Sequence, residues 1–588
     1  MEKNMEKTEK TKKWKNHKRI LPAVLISISV PIILCFAVPF EIYANNIDEF
    51  LFGVWDFLPL CLLFGLLLAG INVSILLFVP DRAYKIISHI LLITATLLFV
   101  QGTYLNVGVS SLAGDNMDSD EISVGIKVLN LIIWLVLISG AIGTSCIQDK
   151  RDIIGKIALA LAGIIIFTQI MIPVFAIFTT DNVFISKDDK LHNSGGESVS
   201  KFISTKNITT LSNNNNVFYF CIDRFDEYYA EEVYKAEPEL FDNLDGFTSF
   251  QDNVSLYGHT FPSVAYMLTG HRYDSSLSRA QNLNEAYENN TTLKTLHDNG
   301  YIVNLYGENY YDFTNASTLP DYIDNVSEVA EYKVVKPFQL ALQMMCLAMY
   351  RCFPLFMKPI FSGINSDSCN LCLQLKDEEG NVNFVSENKE AYKLVKSQSF
   401  KAVDENVFTF MHFYGCHDVD VDYKNGTVSP SSGKVKKIKQ SVEDCFRTIN
   451  EYIKALKEIG AYENATIIIT GDHSAPVSNL TELSSTRLTA LFVKPSGSCD
   501  SFKFSTAQVS HDNIWATIMK SQDIQTEEDY GTSLFDIREE ENRVREYIWQ
   551  TYNVSSLDEF YYEINGSGRV FGNWQLVKTE HKDKFLMS

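Results

Sequence analysis

The sequence predicts a two-part protein of the α/β class: a multi-pass helical membrane domain, then an extracytoplasmic domain with a mostly parallel central sheet and helices on both faces. Three observations predict this. Nearly all long apolar runs fall before residue 180. Basic and acidic loops alternate between those runs. Beyond them, short runs rich in Val, Ile, Phe and Tyr alternate with helix-like stretches, the pattern of parallel strands joined by crossover helices. At 588 residues the chain is also too long for a single hydrophobic core.

Residues 1–19 form a basic tail containing Lys3, Lys7, Lys10, Lys12, Lys13, Lys15, Lys18 and Arg19. Five segments within 20–178 approach the ~20 apolar residues needed to cross a hydrocarbon core. They run approximately Ile20 to Tyr43, Phe57 to Val79, Ile86 to Gly102, Val128 to Ile147 and Ile153 to Phe178. The first is too long for a signal peptide and lacks a small-residue cleavage pattern, so it reads as a retained helix. Lys and Arg are retained on the cytoplasmic side. The tail, the Arg82/Lys85 turn and the Lys150/Arg151/Lys156 turn are basic; Lys127, at the edge of the fourth span, is the exception. The alternate loops carry Asp48, Glu49, Asp56, Asp115, Asp118, Asp120 and Glu121 and no Lys or Arg. Five spans starting in the cytoplasm deliver the rest of the chain outside. The spans are nearly free of charge, which favours an anchor over a transporter.

Residues 179–216 read as a linker ending in the run Asn213 to Asn216. The domain at 217–588 then offers strand-like runs at Val217 to Ile222, Tyr301 to Tyr306, Val407 to Phe413, Ala465 to Thr470 and Leu488 to Val493, with a periodic helical stretch at Ile438 to Ile459. In open α/β sheets reactive groups collect at the carboxyl ends of strands. Three of the five runs end in acid/base or metal-binding residues: Asp223; His412 and then His417; and Gly471-Asp472-His473. Alone, an Asp after a strand is more often a helix cap and a lone His more often packs. Three coinciding in one sheet point to a site.

A net charge of −21 argues against nucleic acid as a partner, because phosphate backbones demand basic surfaces. Of eleven cysteines, eight lie beyond the apolar runs, and Cys346, Cys352, Cys369 and Cys372 cluster. That grouping is compatible with disulfides or free thiols, and the lone Cys369-x-x-Cys372 falls short of a structural zinc site. Phe338 to Phe361 is the most apolar stretch of the second half, interrupted by Arg351, Pro354, Lys358 and Pro359. It reads either as a helix at the membrane interface or as a buried helix of the domain core.

The run Thr260-Phe-Pro262-Ser263-Val-Ala-Tyr-Met-Leu268-Thr269-Gly270 resembles the signature of the alkaline phosphatase/sulfatase superfamily, in particular its membrane-bound envelope phosphotransferases, the lipoteichoic acid synthases and phosphoethanolamine transferases. Asp223 before it, and His417 and Asp472-His473 after it, follow the order of that family. Ser510-His511-Asp512-Asn513 and Tyr530-Gly531-Thr532-Ser533-Leu534 resemble late segments of the transferases. Departures exist: Asp223 stands where the transferases place Glu, Val264 replaces the sulfatase Arg, and Ser474-Ala475-Pro476 follows the Asp-His pair.

The resemblance implies an alkaline phosphatase-like domain with one divalent metal, zinc or manganese, held by Asp223, Thr260, Asp472 and His473. It implies Thr260 as nucleophile, His417 as phosphoryl-binding or proton-donating residue, and His412 and His511 as substrate-binding residues. His259, beside the nucleophile, reads as a packing residue. Formylglycine is made from Cys or Ser, so a Thr at this place favours phosphoryl over sulfuryl chemistry, with the hydroxyl activated by the metal. The expected reaction transfers a phosphoglycerol or phosphoethanolamine group from a membrane phospholipid to an envelope glycan, polymer or lipid. Hydrolysis at the same site, as a phosphodiesterase, phosphatase or sulfatase, is a competing expectation. An inactive envelope scaffold or sensor is another.

Overall fold

The computed structural model describes residues 19–47, 49–106, 123–146, 151–180, 183–184, 201–308, 312–314, 316–361, 364, 366–417, 434–474, 483–553 and 556–583. The tail before Arg19, the acidic stretch 107–122, Lys150, residues 185–200 of the expected linker and Ala475-Pro476 lie outside them. By contact the chain forms two compact units, Met1–Ser198 with Ala330–Leu375, and Val199–Val329 with Lys376–Ser588.

The first unit contains helices α1 (Arg19–Asn45), α2 (Val54–Phe78), α3 (Asp81–Tyr104), α4 (Val124–Cys146) and α5 (Arg151–Thr179). Four apolar segments are long enough to cross a membrane: Arg19–Asn45, Val54–Phe78, Asp81–Tyr104 and Leu159–Thr179. The fourth of the five expected spans is apolar but shorter, over Val124–Gly140. Leu66, Phe78, Leu135, Phe167 and Phe175 are exposed, as side chains facing lipid must be. Gln101 is the hub of a polar cluster among these helices. Gln101 Oε1 accepts from Asn130 Nδ2 and Trp134 Nε1, both at 2.8 Å, and Gln101 Nε2 donates to Asn106 Oδ1.

The apolar stretch after Phe338 belongs to this unit. It forms α8 (Pro337–Cys352; α6 and α7 belong to the second unit), with Pro337 at the first turn, where its missing N–H costs nothing. The helix packs on α1, α2 and α3. Arg351 Nη2 pairs with Glu41 Oε1 of α1 at 2.8 Å, and Asn106 donates to the Arg351 carbonyl. Cys352 lies against Gly102, where an added Cβ would sit 3.0 Å from its Sγ. The buried side of this stretch is covered by the N-terminal helices and not by the core of the second unit. Among the described residues Cys346, Cys352, Cys369 and Cys372 form no disulfide.

The second unit is built on a seven-stranded sheet of β1 (Asn216–Ile222), β2 (Thr248–Val254), β3 (Tyr301–Tyr306), β4 (Asn406–Phe413), β5 (Thr466–Gly471), β6 (Leu491–Lys494) and β7 (Lys503–Ser510), in the order β7-β2-β6-β5-β1-β4-β3. All neighbours pair in parallel except β6, which runs against both β5 and β2. The central strands are buried along their whole length, which is why they read as continuous apolar runs. Helix α9 (Lys434–Ile459) lays Val442, Phe446, Ile449, Ile453 and Leu456, at helical spacing, into this core. The unit also contains α6 (Glu227–Ala236), α7 (Thr260–Thr269) and α10 (Asp512–Ser521). A separate antiparallel meander, β8 (Val544–Asn553), β9 (Ser556–Asn565) and β10 (Trp574–Asp583), closes the chain.

Candidate active and metal site

Register brings the acidic residues together. Ile222 of β1 lies opposite both Phe413 of β4 and Gly471 of β5. Asp223 and Asp472, each one residue further on, emerge side by side at the carboxyl edge of the sheet. Two glycines permit this crowding. A Cβ on Gly471 would come within 2.5 Å of the Phe225 carbonyl oxygen, and one on Gly415, whose φ is +59°, within 2.5 Å of the Asp223 backbone. The ligand atoms of Asp223, His412 and Asp472 lie within 4.8 Å of one another, and all three residues are buried.

Thr260 opens α7 and is half-buried, with His259 as the preceding cap residue. Its Oγ1 is 3.3 Å from His473 Nε2. Ser263, one turn on, donates to the Asp472 carbonyl at 2.6 Å, so the Pro-Ser of the motif ties the Thr260 helix to the end of β5. The Ser474 carbonyl lies 2.6 Å from His473 Nδ1, and because a carbonyl only accepts, Nδ1 carries the proton. The Nε2 lone pair then faces Thr260, with Asp472 Oδ2 at 3.5 Å and Asp223 Oδ1 at 3.7 Å.

The wall behind Thr260 comes from the C-terminal meander. Ile548 of β8 exchanges backbone hydrogen bonds with Leu256 and Gly258. The His259 ring stacks on Trp549 and its Nε2 lies 2.7 Å from the Gln550 carbonyl. Gly258 is required here, since a Cβ would meet Trp549 and the Tyr547 hydroxyl at 2.6 Å.

The charges are unbalanced in a way that fits a cation. Burial and then the Asp472 charge push Asp223 well above the usual carboxylate range. Burial acts on Asp472 in the same sense, but His473, His412 and the Arg224 and His473 N–H groups hold it below its ordinary value. Burial works to lower His412, yet Asp312, Asp472 and Asp223 together raise it to about 10. Asp223 Oδ1, Asp472 Oδ2 and His412 Nε2 are buried without a hydrogen-bond partner among the described residues. Orphaned oxygens and an imidazole nitrogen converging on one point are the donor set of a divalent cation. Asp223, Asp472 and His412 fit such an ion, with His473 and Thr260 adjoining.

Not every expected residue joins the cluster. His412, expected to bind substrate, lies with the candidate ligands. The His417 carbonyl takes Arg224 Nη1 at 2.6 Å and its ring lies against Tyr414. His511 Nε2 lies 3.3 Å from Thr470 Oγ1 and 3.5 Å from Thr489 Oγ1. Asp312 was missed by sequence reasoning: its carboxylate, fully buried, holds His412 Nδ1. It follows β3, so the strand-end rule applied to Tyr301–Tyr306 would have reached it.

Comparison with known proteins places this domain in a family. The sulfatase family model matches residues 215–524. Comparison with curated proteins gives no match. Among solved structures the chain is similar to the lipoteichoic acid synthase LtaP from Listeria monocytogenes, at 10% identity over 60% of this chain and 85% of that one, TM-score 0.35. It is also similar to a sulfatase, yidJ, from Bacteroides fragilis, at 12% identity over 63% and 89%, TM-score 0.37. A third likeness is the phosphonate monoester hydrolase SpPMH from Silicibacter pomeroyi, at 13% identity over 63% and 89%, TM-score 0.36. With more than half of its length matched by the family model, the chain belongs to the sulfatase family.

Proposed function

We propose that the protein is a membrane-anchored transferase that moves a phosphoryl-linked head group, phosphoglycerol or phosphoethanolamine, from a phospholipid to an acceptor hydroxyl of an envelope glycan, polymer or lipid. The observation that carries this reading is the half-buried Thr260 hydroxyl, 3.3 Å from a His473 lone pair and beside the Asp223–His412–Asp472 cluster. Thr260 Oγ forms the new bond to phosphorus as the bond to the diacylglycerol oxygen breaks. The proton Thr260 loses is matched by the one diacylglycerol gains, and His417 is assigned to that delivery. The acceptor hydroxyl then displaces Thr260 in the reverse sense. A bound zinc or manganese ion would lower the hydroxyl's pKa and offset the two carboxylates.

Apolar helices at the N-terminus suit a donor that resides in the bilayer. In this reading residues 1–19 are a cytoplasmic tail, all five helices cross, α4 included, and the catalytic domain lies outside. The alternation of basic and acidic loops supports that orientation.

The test is mass spectrometry of the Thr260 peptide after incubating the purified, metal-loaded protein with labelled phosphatidylglycerol or phosphatidylethanolamine. A head-group phosphate on Thr260 is expected, absent in Thr260→Ala. If no lipid leaves an adduct and Thr260→Ala is as active as wild type, the reading is wrong. Release of free head-group phosphate without acceptor assigns hydrolysis instead.

A further inference from the structure

Arg224, immediately after the first site carboxylate, has φ +55°. The other non-glycine residues with positive φ among the described residues are Asn207 and Asp523, types whose short polar side chains tolerate the left-handed region. A long side chain there carries a steric penalty that glycine avoids. The conformation aims the Arg224 N–H at Asp472 Oδ1, 2.9 Å away. Glycine would make that bond as well, so it does not account for arginine.

The guanidinium is what glycine would not supply. Nη1 donates to the His417 carbonyl at 2.6 Å. Nε is buried without a hydrogen-bond acceptor and lies 4.0 Å from Asp223 Oδ1, beyond a direct bond. The side chain retains 19% exposure, so the charge is largely shielded yet reachable. That charge also bears on His473 and His259, the residues flanking Thr260. Val264 meanwhile leaves the nucleophile motif without a cation of its own.

We propose that Arg224 is the anion-holding residue of the site, its guanidinium binding a non-bridging oxygen of the substrate's phosphoryl group. The inference rests on the phosphoryl chemistry proposed above. A phosphodiester entering beside Asp223 and Asp472 brings further negative charge, and a guanidinium offers the forked, permanently charged donor that phosphate oxygens match best. Held between Asp223 and the His417 carbonyl, the Arg224 guanidinium lies beside the candidate cation site.

Arg224→Gly tests this cleanly, because it removes the guanidinium while keeping the N–H and its left-handed backbone. Arg224→Asn, also tolerant of that backbone, serves as a second variant should the first fail to fold. Inorganic phosphate is titrated into metal-loaded full-length protein in detergent by calorimetry, alongside separate titrations of the divalent cation. Phosphate affinity is expected to fall at least tenfold and KM for the phospholipid to rise more than kcat falls. Cation affinity and thermal midpoint are expected to hold or rise, and Arg224→Lys recovers part of the loss. Unchanged phosphate affinity, or cation affinity falling in step with it, overturns the proposal, the latter by making Arg224 a support for the carboxylates. Loss of phosphate binding in a protein whose Thr260 never forms a lipid adduct upholds this assignment while removing the transferase reading.

Discussion

The His412 imidazole presents Nδ1 to both carboxylate oxygens of Asp312, at 3.0 and 2.9 Å, with both side chains buried. Asp312 is itself fixed, its Oδ2 accepting the Glu308 N–H at 2.8 Å. A Cβ on Gly307 would press to 2.5 Å from that oxygen. The carboxylate therefore sets the ring's orientation and leaves Nε2 directed at the acidic pair, the arrangement by which outer residues orient imidazole ligands.

Replacing Asp312 by Asn keeps the shape but weakens the hold on Nδ1. Divalent-cation affinity is expected to drop about 10–100-fold, the range for loss of such a partner, read by calorimetry on the full-length protein. Equal affinity in wild type and Asp312→Asn would detach His412 from the cation.

Thr260→Ala should abolish turnover to background, a loss of at least ~10³-fold, because the proposed reacting oxygen is removed. Thr260→Ser, which retains the hydroxyl, should keep measurable turnover. A rate assay with labelled phospholipid separates the two variants.

Chelation should lower the thermal midpoint as well as the activity. A cation held at about 100 times its Kd adds roughly 2.7 kcal/mol to the folded state, so the midpoint should rise with added zinc or manganese. A midpoint indifferent to both ions would remove the cluster from consideration as a metal site.

Gly471→Ala places a methyl group 2.5 Å from the Phe225 carbonyl oxygen. Overpacking of this kind costs about 1–3 kcal/mol, and here it also separates Asp472 from Asp223. Thermal unfolding in detergent and cation titration should both register the change.

In the helical unit, Arg351→Ala leaves Glu41 partly buried without its partner. The expected loss is about 3 kcal/mol, with the Arg351→Ala, Glu41→Ala double variant less affected than the single one. Additive losses in that cycle would show the pair to be uncoupled.

The strand ends were legible because burial on both faces leaves a continuous apolar run, and Asp223, His412 and Asp472 interrupt it where the chain leaves the sheet. Strand direction was not legible: Leu488 to Val493 reads like its neighbours, but β6 is antiparallel, a property of the connection preceding it. Strands β2 and β7 escaped notice because Gln251, Asp252, Asn253 and Gln508 break their apolar pattern. Apolarity also could not name the partner of α8, since a run such as Leu340, Met344 and Leu347 fits any covering surface. The ring contacts of His511 with Thr470 and Thr489 were not legible either, because they depend on how the strands align.

The backing of Thr260 by β8 sets a schedule for the chain's maturation. His259 meets Gln550 291 positions along the chain, and the meander that supplies Gln550 lies beyond the family-matched region. Synthesis runs from the N-terminus, so the N-terminal apolar helices exist before the Thr260 hydroxyl has a finished setting. A chain stopped before Val544 carries Thr260, Asp223 and Asp472 but lacks the strand that backs Thr260. The surroundings of Thr260 are therefore complete only once β8 has been made and has paired with the Leu256–Gly258 segment.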